Sequence, residues 1–196
     1  MFVPHFDLRR NAGRFSTRIR GFAGDRRGIS AVEFALVAPF LLILYIAGTD
    51  TSLALTINRK VHNCAATIND LVGQSQAYTK AELDGLFAIS ASVMAPYDQS
   101  KVFLRITQVK VDKAGSATVD WTRSRNTMIG TTALAAGDTY TLPAGFAGEK
   151  DFNFLVTEAY YSFEPFGGYG LTGPMMMGET NYLSPRLGDK VTCSDC

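Results

Sequence analysis

A single glutamate stands near the start of the longest apolar run of the chain, five residues after a glycine that ends an arginine-rich segment. From Arg26 to Gly48 the sequence reads RRGISAVEFALVAPFLLILYIAG, and the carboxylate is that of Glu33. A carboxylate costs about 2 to 4 kcal/mol near the centre of a membrane helix and less near its end. A chain that keeps Glu33 at this place is therefore expected to use its charge.

The three cysteines suggest disulfide chemistry. Cys193 and Cys196 form a C-x-x-C pair at the extreme C-terminus, outside the βαβ unit that a thioredoxin motif needs. A zinc site would need two more ligands, and the candidates His62 and Cys64 lie about 200° apart on a helix. We expect a disulfide, either between Cys193 and Cys196 or from one of them to Cys64, and no metal site. Because the count is odd, at least one thiol is free or intermolecular.

The remaining residues give little support to an enzyme. The two histidines, His5 and His62, form no Ser–His–Asp or Cys–His pattern with the C-terminal part of the chain. Residues 168–173 match G-x-G-x-x-G, but Pro165 precedes them, Pro174 follows them, and no helix is indicated after them. We therefore predict a surface loop there, no cofactor and no catalytic activity.

The charge changes sign at Gly28. Residues 1–28 hold seven Arg and two Asp, a net charge of +5, whereas the rest of the chain holds 12 basic and 16 acidic residues, a net charge of −4. The basic segment adjoins the apolar run and has no aromatic stacking pattern, so the positive-inside rule explains it better than nucleic-acid binding does. The prediction is a basic leader in the cytoplasm, one span in the lipid bilayer and an extracytoplasmic C-terminal domain.

The apolar run itself predicts a helix that continues beyond the membrane. Its eighteen residues, 31–48, extend about 27 Å as a helix and can cross a thin bilayer core. Pro39 removes one backbone hydrogen bond and is expected to kink the helix. Residues 49–72 contain no Gly or Pro and are amphipathic, so one continuous helix over 29–72 is predicted, with Gly73 as its stop. The apolar stripe of the second half comprises Leu53, Ile57, Val61, Cys64, Ile68 and Leu71.

Residues 73–196 predict a small antiparallel sheet with one short helix. The helix is expected over Lys80–Met94. A β-hairpin follows from Lys101 to Thr122, with a bulge or twist at Gln108–Val109 where the apolar phase slips. The whole chain is thus α+β: a long N-terminal transmembrane helix continuing into a small antiparallel β-sheet domain.

The later strands are less regular in pattern. Phe152–Phe163 is apolar on both faces and is predicted to be a central strand. Gly167–Gly178 is predicted as a loop. Thr180–Cys193 is predicted to supply a last strand, and Pro185 places part of it at an edge.

The sequence around the glutamate resembles the class III signal of type IV pilin-like proteins. Gly28 followed by Ile-Ser-Ala-Val-Glu33-Phe34 and the apolar run is most similar to TadE-like pseudopilins of the tight-adherence (Flp/Tad) pilus system. That similarity covers about residues 24–60. A looser one covers Tyr160–Pro165 and Tyr182–Arg186. Phe34 stands where major Flp pilins have Tyr, and the chain is much longer than a major pilin, which favours a minor pilin.

The resemblance implies a pathway and a set of partners. A prepilin peptidase would cut after Gly28, so that residues 1–28 are a cleaved leader and Ile29 begins the mature chain. Glu33, next to Phe34, would set the register during assembly by attracting the N-terminus of a neighbouring subunit. The implied partners are the peptidase, a major Flp-type pilin, other minor pilins and the inner-membrane assembly platform. The implied location is the bacterial inner membrane and then the pilus, which serves surface adherence.

Two other interpretations remain open. In the first, the protein is secreted: the basic head is an n-region, the apolar run an h-region, and Ser52-Leu-Ala54 the cleavage site. That interpretation places a glutamate at the head of the h-region and discards part of a helix predicted to be continuous. In the second, the protein is permanently anchored by its single span and carries an extracytoplasmic binding domain.

Overall fold

The computed structural model of the chain describes residues 28–127, 130–166 and 173–196. The chain divides into two compact units, Met1–Ala47 and Gly48–Cys196. The predicted leader, apart from Gly28, lies outside the described residues, and so do residues 168–172 of the G-x-G-x-x-G match.

One long helix, α1, extends over Ile29–Gly73 and confirms the predicted continuous helix. Its residues in the first unit are helical on both sides of Pro39. The kink at Pro39 stays a prediction. Between residues 28 and 47 no side chain is buried, although most of them are apolar.

The second unit is a sheet domain, which confirms the α+β class. The elements that follow α1 are β1 (Ala77–Tyr78), α2 (Lys80–Ser92), β2 (Val102–Val111), β3 (Ala117–Arg125), β4 (Phe152–Phe163), β5 (Met175–Leu183) and β6 (Thr192–Cys193). Four antiparallel strands form the sheet in the order β3-β2-β4-β5, so the predicted central position of Phe152–Phe163 is correct. Strands β1 and β6 form a separate parallel pair.

The main core lies between one face of the sheet and the two helices. Leu83 and Phe87 of α2 are fully buried in it. The buried stripe of α1 differs from the predicted one at both ends, because Leu53 is exposed and Val72 is buried in place of Leu71. At about 100° per residue, Val72 continues the row of Ala65 and Ile68, while Leu71 is turned partly out of it. The stripe comprises Ile57, Val61, Cys64, Ala65, Ile68 and Val72.

A second, smaller core lies on the other face of the sheet. Strand β2 stays in register with β4 along its whole length, so Val109 and Val111 point away from the face that carries Leu104 and Ile106. The register with β3 shifts between Gln108 and Val109, which leaves Asp120 as an extra residue in β3 and confirms the predicted irregularity. The alternation of apolar residues in β2 shifts by one residue there, because the first half of the strand contributes to the main core and its end contributes to the core on the other face. Aromatic rings complete this cluster: Tyr140, Phe146, Phe152, Phe154 and Tyr182.

The segment boundaries near the C-terminus were predicted wrongly. Met175–Gly178, predicted as loop, belongs to β5, which pairs with β4 from Met175 opposite Phe163 to Leu183 opposite Leu155. The predicted strand Thr180–Cys193 is paired only at its two ends. Gly178 lies against the ring of Tyr160, where a Cβ would collide with it, so a glycine that signals a loop in sequence here permits close packing. Helix α2 ends at Ser92, two residues before the predicted end.

Candidate functional site

The apolar segment at the start of α1 carries the residues singled out from the sequence. Gly28 lies directly before the helix, and Ile29, Glu33 and Phe34 are all exposed on it. Within the described residues α1 is the one helix long and apolar enough to cross a membrane, and none of its most apolar stretch is buried inside the protein. This single N-terminal apolar helix indicates a membrane anchor.

Glu33 is the sole charged residue from Gly28 to Thr49. It lies one turn into the helix, on the same side as Ile29 and Val37. The first turn of the helix itself contains no acidic residue. No ion pair to Glu33 occurs among the residues that the structure describes, so its charge faces outward from an apolar surface.

Packing does not account for the glycine at position 28. No heavy atom of the surrounding structure lies within 4 Å of the place that a Cβ of Gly28 would occupy. Its φ is not in the left-handed region either, since the described glycines with positive φ are others. The described residues therefore give neither a packing reason nor a backbone reason for a glycine at this position.

In the second half of α1, two polar side chains are bonded to other elements of the domain, whereas Arg59 is exposed to solvent. The Lys60 amine donates to the carbonyl oxygens of Val93 at 3.0 Å and Ala95 at 2.8 Å, just after the end of α2. The Thr157 hydroxyl of β4 donates to Asn69 Oδ1 at 3.0 Å inside the core. These contacts fix this part of the helix to its own domain.

Two of the three cysteines form a disulfide, and the third is a buried free thiol. Cys193 and Cys196 are joined, which is one of the alternatives left open by the sequence. Cys64 is free, fully buried, and its thiol donates to the carbonyl oxygen of Ser90 at 3.2 Å. Burial raises the pKa of Cys64 from 9.0 to about 11, so it remains a neutral thiol at physiological pH. Such a thiol is not a nucleophile.

The disulfide loop attaches the C-terminus to the domain. Asp195, inside the loop, accepts a hydrogen bond of 2.8 Å from the backbone N–H of Lys80, the first residue of α2. A carboxylate is favoured at this end of a helix. Just before the loop, the carbonyl of Val191 accepts from Trp121 Nε1 at 2.8 Å. Because both thiols are used in the disulfide, the grouping of Cys193, Asp195 and Cys196 offers no thiolate to a metal.

A buried ion pair was not found by sequence reasoning. Arg105 Nε of β2 lies 2.5 Å from Glu158 Oε2 of β4, and the two side chains are 9% and 13% exposed. Arg105 also donates to the carbonyl of Thr132, and its guanidinium lies 5.5 Å from the centre of the Phe103 ring. The residues stand directly opposite one another across the two strands, a relation that only the register reveals.

The histidine of the domain forms a surface contact. His62 Nδ1 lies 3.4 Å from Glu179 Oε1 on β5, with 56% of the His62 side chain exposed. This is a solvent-exposed pair of acid and base, not a base placed against a Ser or Cys nucleophile.

Comparison with known families locates the recognisable part of the chain. The sequence profile of the family described as TadE-like protein matches residues 28–68. The match begins at Gly28 and ends at the buried Ile68, so it covers the exposed apolar segment and most of the rest of α1. It confirms the resemblance over this region. Neither the search of curated proteins nor the search of solved structures found a significant match.

Proposed function

Because residues 28–68 match the TadE-like family, which is associated with Tad pili, we propose that this chain is a minor pilin, or pseudopilin, of a Tad pilus. A prepilin peptidase cleaves it after Gly28, and the mature chain joins the pilus or primes its assembly from the inner membrane. It acts as a structural subunit without catalytic activity. Its partners are the major Flp-type pilin, other minor pilins and the assembly platform, and its biological role is surface adherence.

The observation that carries this proposal is the position of one charge. Glu33 is the sole charged residue of an exposed apolar helical segment that begins directly after Gly28. Cleavage after Gly28 would remove all seven leader arginines and create a positive α-amino group on Ile29. The mature segment would then carry one positive and one negative group on an apolar surface.

These two groups can specify the register between neighbouring helices. Ile29 and Glu33 are separated along the axis by about 6 Å, because each residue of a helix rises 1.5 Å. A neighbour displaced by about one turn would bring its amine next to this carboxylate. In a bundle of low dielectric, other displacements leave the charge unpaired at a large cost. The pair thus selects one arrangement more than it adds stability.

The glycine fits the proposed cleavage. A peptidase binds its substrate in an extended form, and a residue without a side chain lets the backbone approach a narrow cleft. This accounts for Gly28, for which the folded chain itself gives no packing reason.

The N-terminal residue of the mature protein tests the proposal against the two alternatives. The full chain is produced with and without a prepilin peptidase and its N-terminus is sequenced. Ile29, obtained only with the peptidase, supports the pilin. A start near Leu55 would show a secreted protein, and an intact Met1 in the presence of the peptidase would show a permanent anchor.

A matched pair of glycines sharpens this test. Neither Gly28 nor Gly48 has a heavy atom within 4 Å of its would-be Cβ, so a leucine can be accommodated at both. Gly28→Leu is expected to abolish cleavage and Gly48→Leu to leave it unchanged. Complete cleavage of the Gly28→Leu chain would contradict the proposed site.

A further inference from the structure

Apolar side chains are exposed at one end of the sheet, where β4 ends and β5 begins. Phe166 is 67% exposed, Met175 41% and Met176 48%. The register places Met175 opposite Phe163 and Met176 opposite Ser162, the last residues of β4. The three residues therefore lie at the same end of the sheet, called the exposed apolar edge below, with Met175 and Met176 on opposite faces of β5.

The first residues of α1 within the second unit are bonded to this edge. The backbone N–H of Phe166 donates to Asp50 Oδ1 at 3.0 Å. Asp50 is the second residue after Gly48, with which the apolar run ends in sequence. The exposed apolar edge is thus bonded to a residue that directly follows the predicted span.

The polar surroundings of this edge also suit the surface of a bilayer. Lys101 and Glu164 form an ion pair of 3.0 Å, which places one amine and one carboxylate beside the apolar side chains. Next to the pair, an open cavity of about 400 Å³ is lined by Ser100, Lys101, Pro174 and Met176, among others. Hydroxyl and amine donors beside apolar side chains match the boundary between headgroups and acyl chains.

We propose that Phe166, Met175 and Met176 form a lipid-contact surface that rests on the outer leaflet of the membrane while the chain is anchored. Phe is typical of apolar surfaces that lie in the membrane interface, and a flexible methionine adapts to disordered acyl chains. This inference depends on the membrane anchor of the proposed function, but on neither cleavage nor pilus assembly. The occupant is lipid rather than a second protein because the edge is bonded to a residue so close in sequence to the span.

The test is fluorescence of single labelled cysteines in the full chain, placed in lipid nanodiscs. The native cysteines do not interfere, since Cys64 is buried and the other two are joined in a disulfide. An environment-sensitive nitrobenzoxadiazole label is attached to Phe166→Cys, and a parallel sample carries it on Ile89→Cys. Ile89 is a matched control, because it is also apolar and 59% exposed but lies on α2.

With the label at position 166, we expect the emission to shift to shorter wavelength on moving from detergent to nanodiscs, and to be quenched by lipids that carry a doxyl group near the headgroup. The label at position 89 should show neither effect. Quenching that is equal at the two positions, or absent at 166, would overturn the lipid-contact surface. A blue shift at 166 without quenching would point to a protein partner and would equally overturn it. None of these outcomes depends on whether Gly28 is cleaved, so the proposed pilin function is judged separately.

Discussion

The apolar residues of α1 are exposed in one segment of the helix and buried in another. Between residues 29 and 47 of α1 apolar side chains occur all round the helix, and none is buried. From Ile57 to Val72 they form one stripe, and that stripe is buried against the sheet and α2. A helix that is apolar on every side needs a surrounding of lipid or other helices, whereas a stripe needs only one partner surface.

Some polar side chains of the two segments also differ in whether they are bonded within the chain, although Arg59 of the second segment is exposed like Glu33. Lys60 and Asn69 in the second segment each bond to a neighbouring element of the domain. Glu33 in the first has no ion-pair partner among the described residues. The second segment therefore has polar side chains bonded within the chain, whereas we propose that Glu33 of the first segment finds its partner in a neighbouring subunit.

The largest predicted effect comes from the charge of the first segment: its removal should abolish assembly but leave folding intact. Glu33→Gln removes the charge with little change of shape. We expect cleavage after Gly28 to persist and the amount of this chain in purified pili to fall to background, because the carboxylate no longer selects the register. Immunoblots of sheared pili and of whole cells measure this.

Lys60→Gln is the control from the other segment. It removes one charge from the same helix and, with it, the bonds to the carbonyls of Val93 and Ala95. It should lower the free energy of unfolding by about 1 to 3 kcal/mol while the surviving protein still assembles. Normal incorporation of the Glu33→Gln chain would refute the register role.

The second prediction compares one substitution at two places in α1. Ile68 is fully buried, and Ile43 is 67% exposed. Ile68→Ala should lower the free energy of unfolding of the domain by about 2 to 5 kcal/mol, because it leaves a cavity in the core. Ile43→Ala should change it by less than about 0.5 kcal/mol. Chemical unfolding in detergent micelles, followed by the fluorescence of Trp121, measures both. Equal losses would show that the two segments do not differ as described.

Much of this contrast can be predicted from sequence, because it depends on local patterns. The charge at Glu33, the uninterrupted helix and the alternation of β2 are all read from neighbouring residues. The stripe of α1 was predicted correctly in its middle, yet its end was assigned to Leu71 and not to Val72. Spacings of three and four residues both fit a helix, and only the partner surface decides between them.

What sequence reasoning missed depends on contacts between distant residues. The segment Met175–Gly178 has no alternation and contains a glycine, so its pairing with β4 was not predicted. The Arg105–Glu158 ion pair requires the register of two strands that are about 50 residues apart in sequence. The cysteine pairing was open for the same reason, since spacing alone did not exclude a bond to Cys64.

The smallest predicted effect is the contribution of the buried Cys64 thiol to the pH dependence of folding. Burial raises the pKa of Cys64 from 9.0 to about 11, so the folded chain keeps its proton to higher pH than the unfolded chain does. The contribution of this group to stability is therefore full below pH 9 and is lost progressively as the pH rises to about 11. Above that value both states are ionised and the loss ends.

Other groups also titrate in this range, so the test compares the wild-type chain with Cys64→Ala. Urea unfolding of each is measured between pH 8 and pH 11, around the pKa interval of the thiol. The difference between their free energies of unfolding should shrink as the pH rises, because only the wild-type chain loses the benefit of a protonated thiol. The thiol should also resist alkylation until the chain unfolds. A difference that is constant with pH would mean that Cys64 is not held in the apolar core, and that the second segment of α1 is less closely packed than its buried stripe implies.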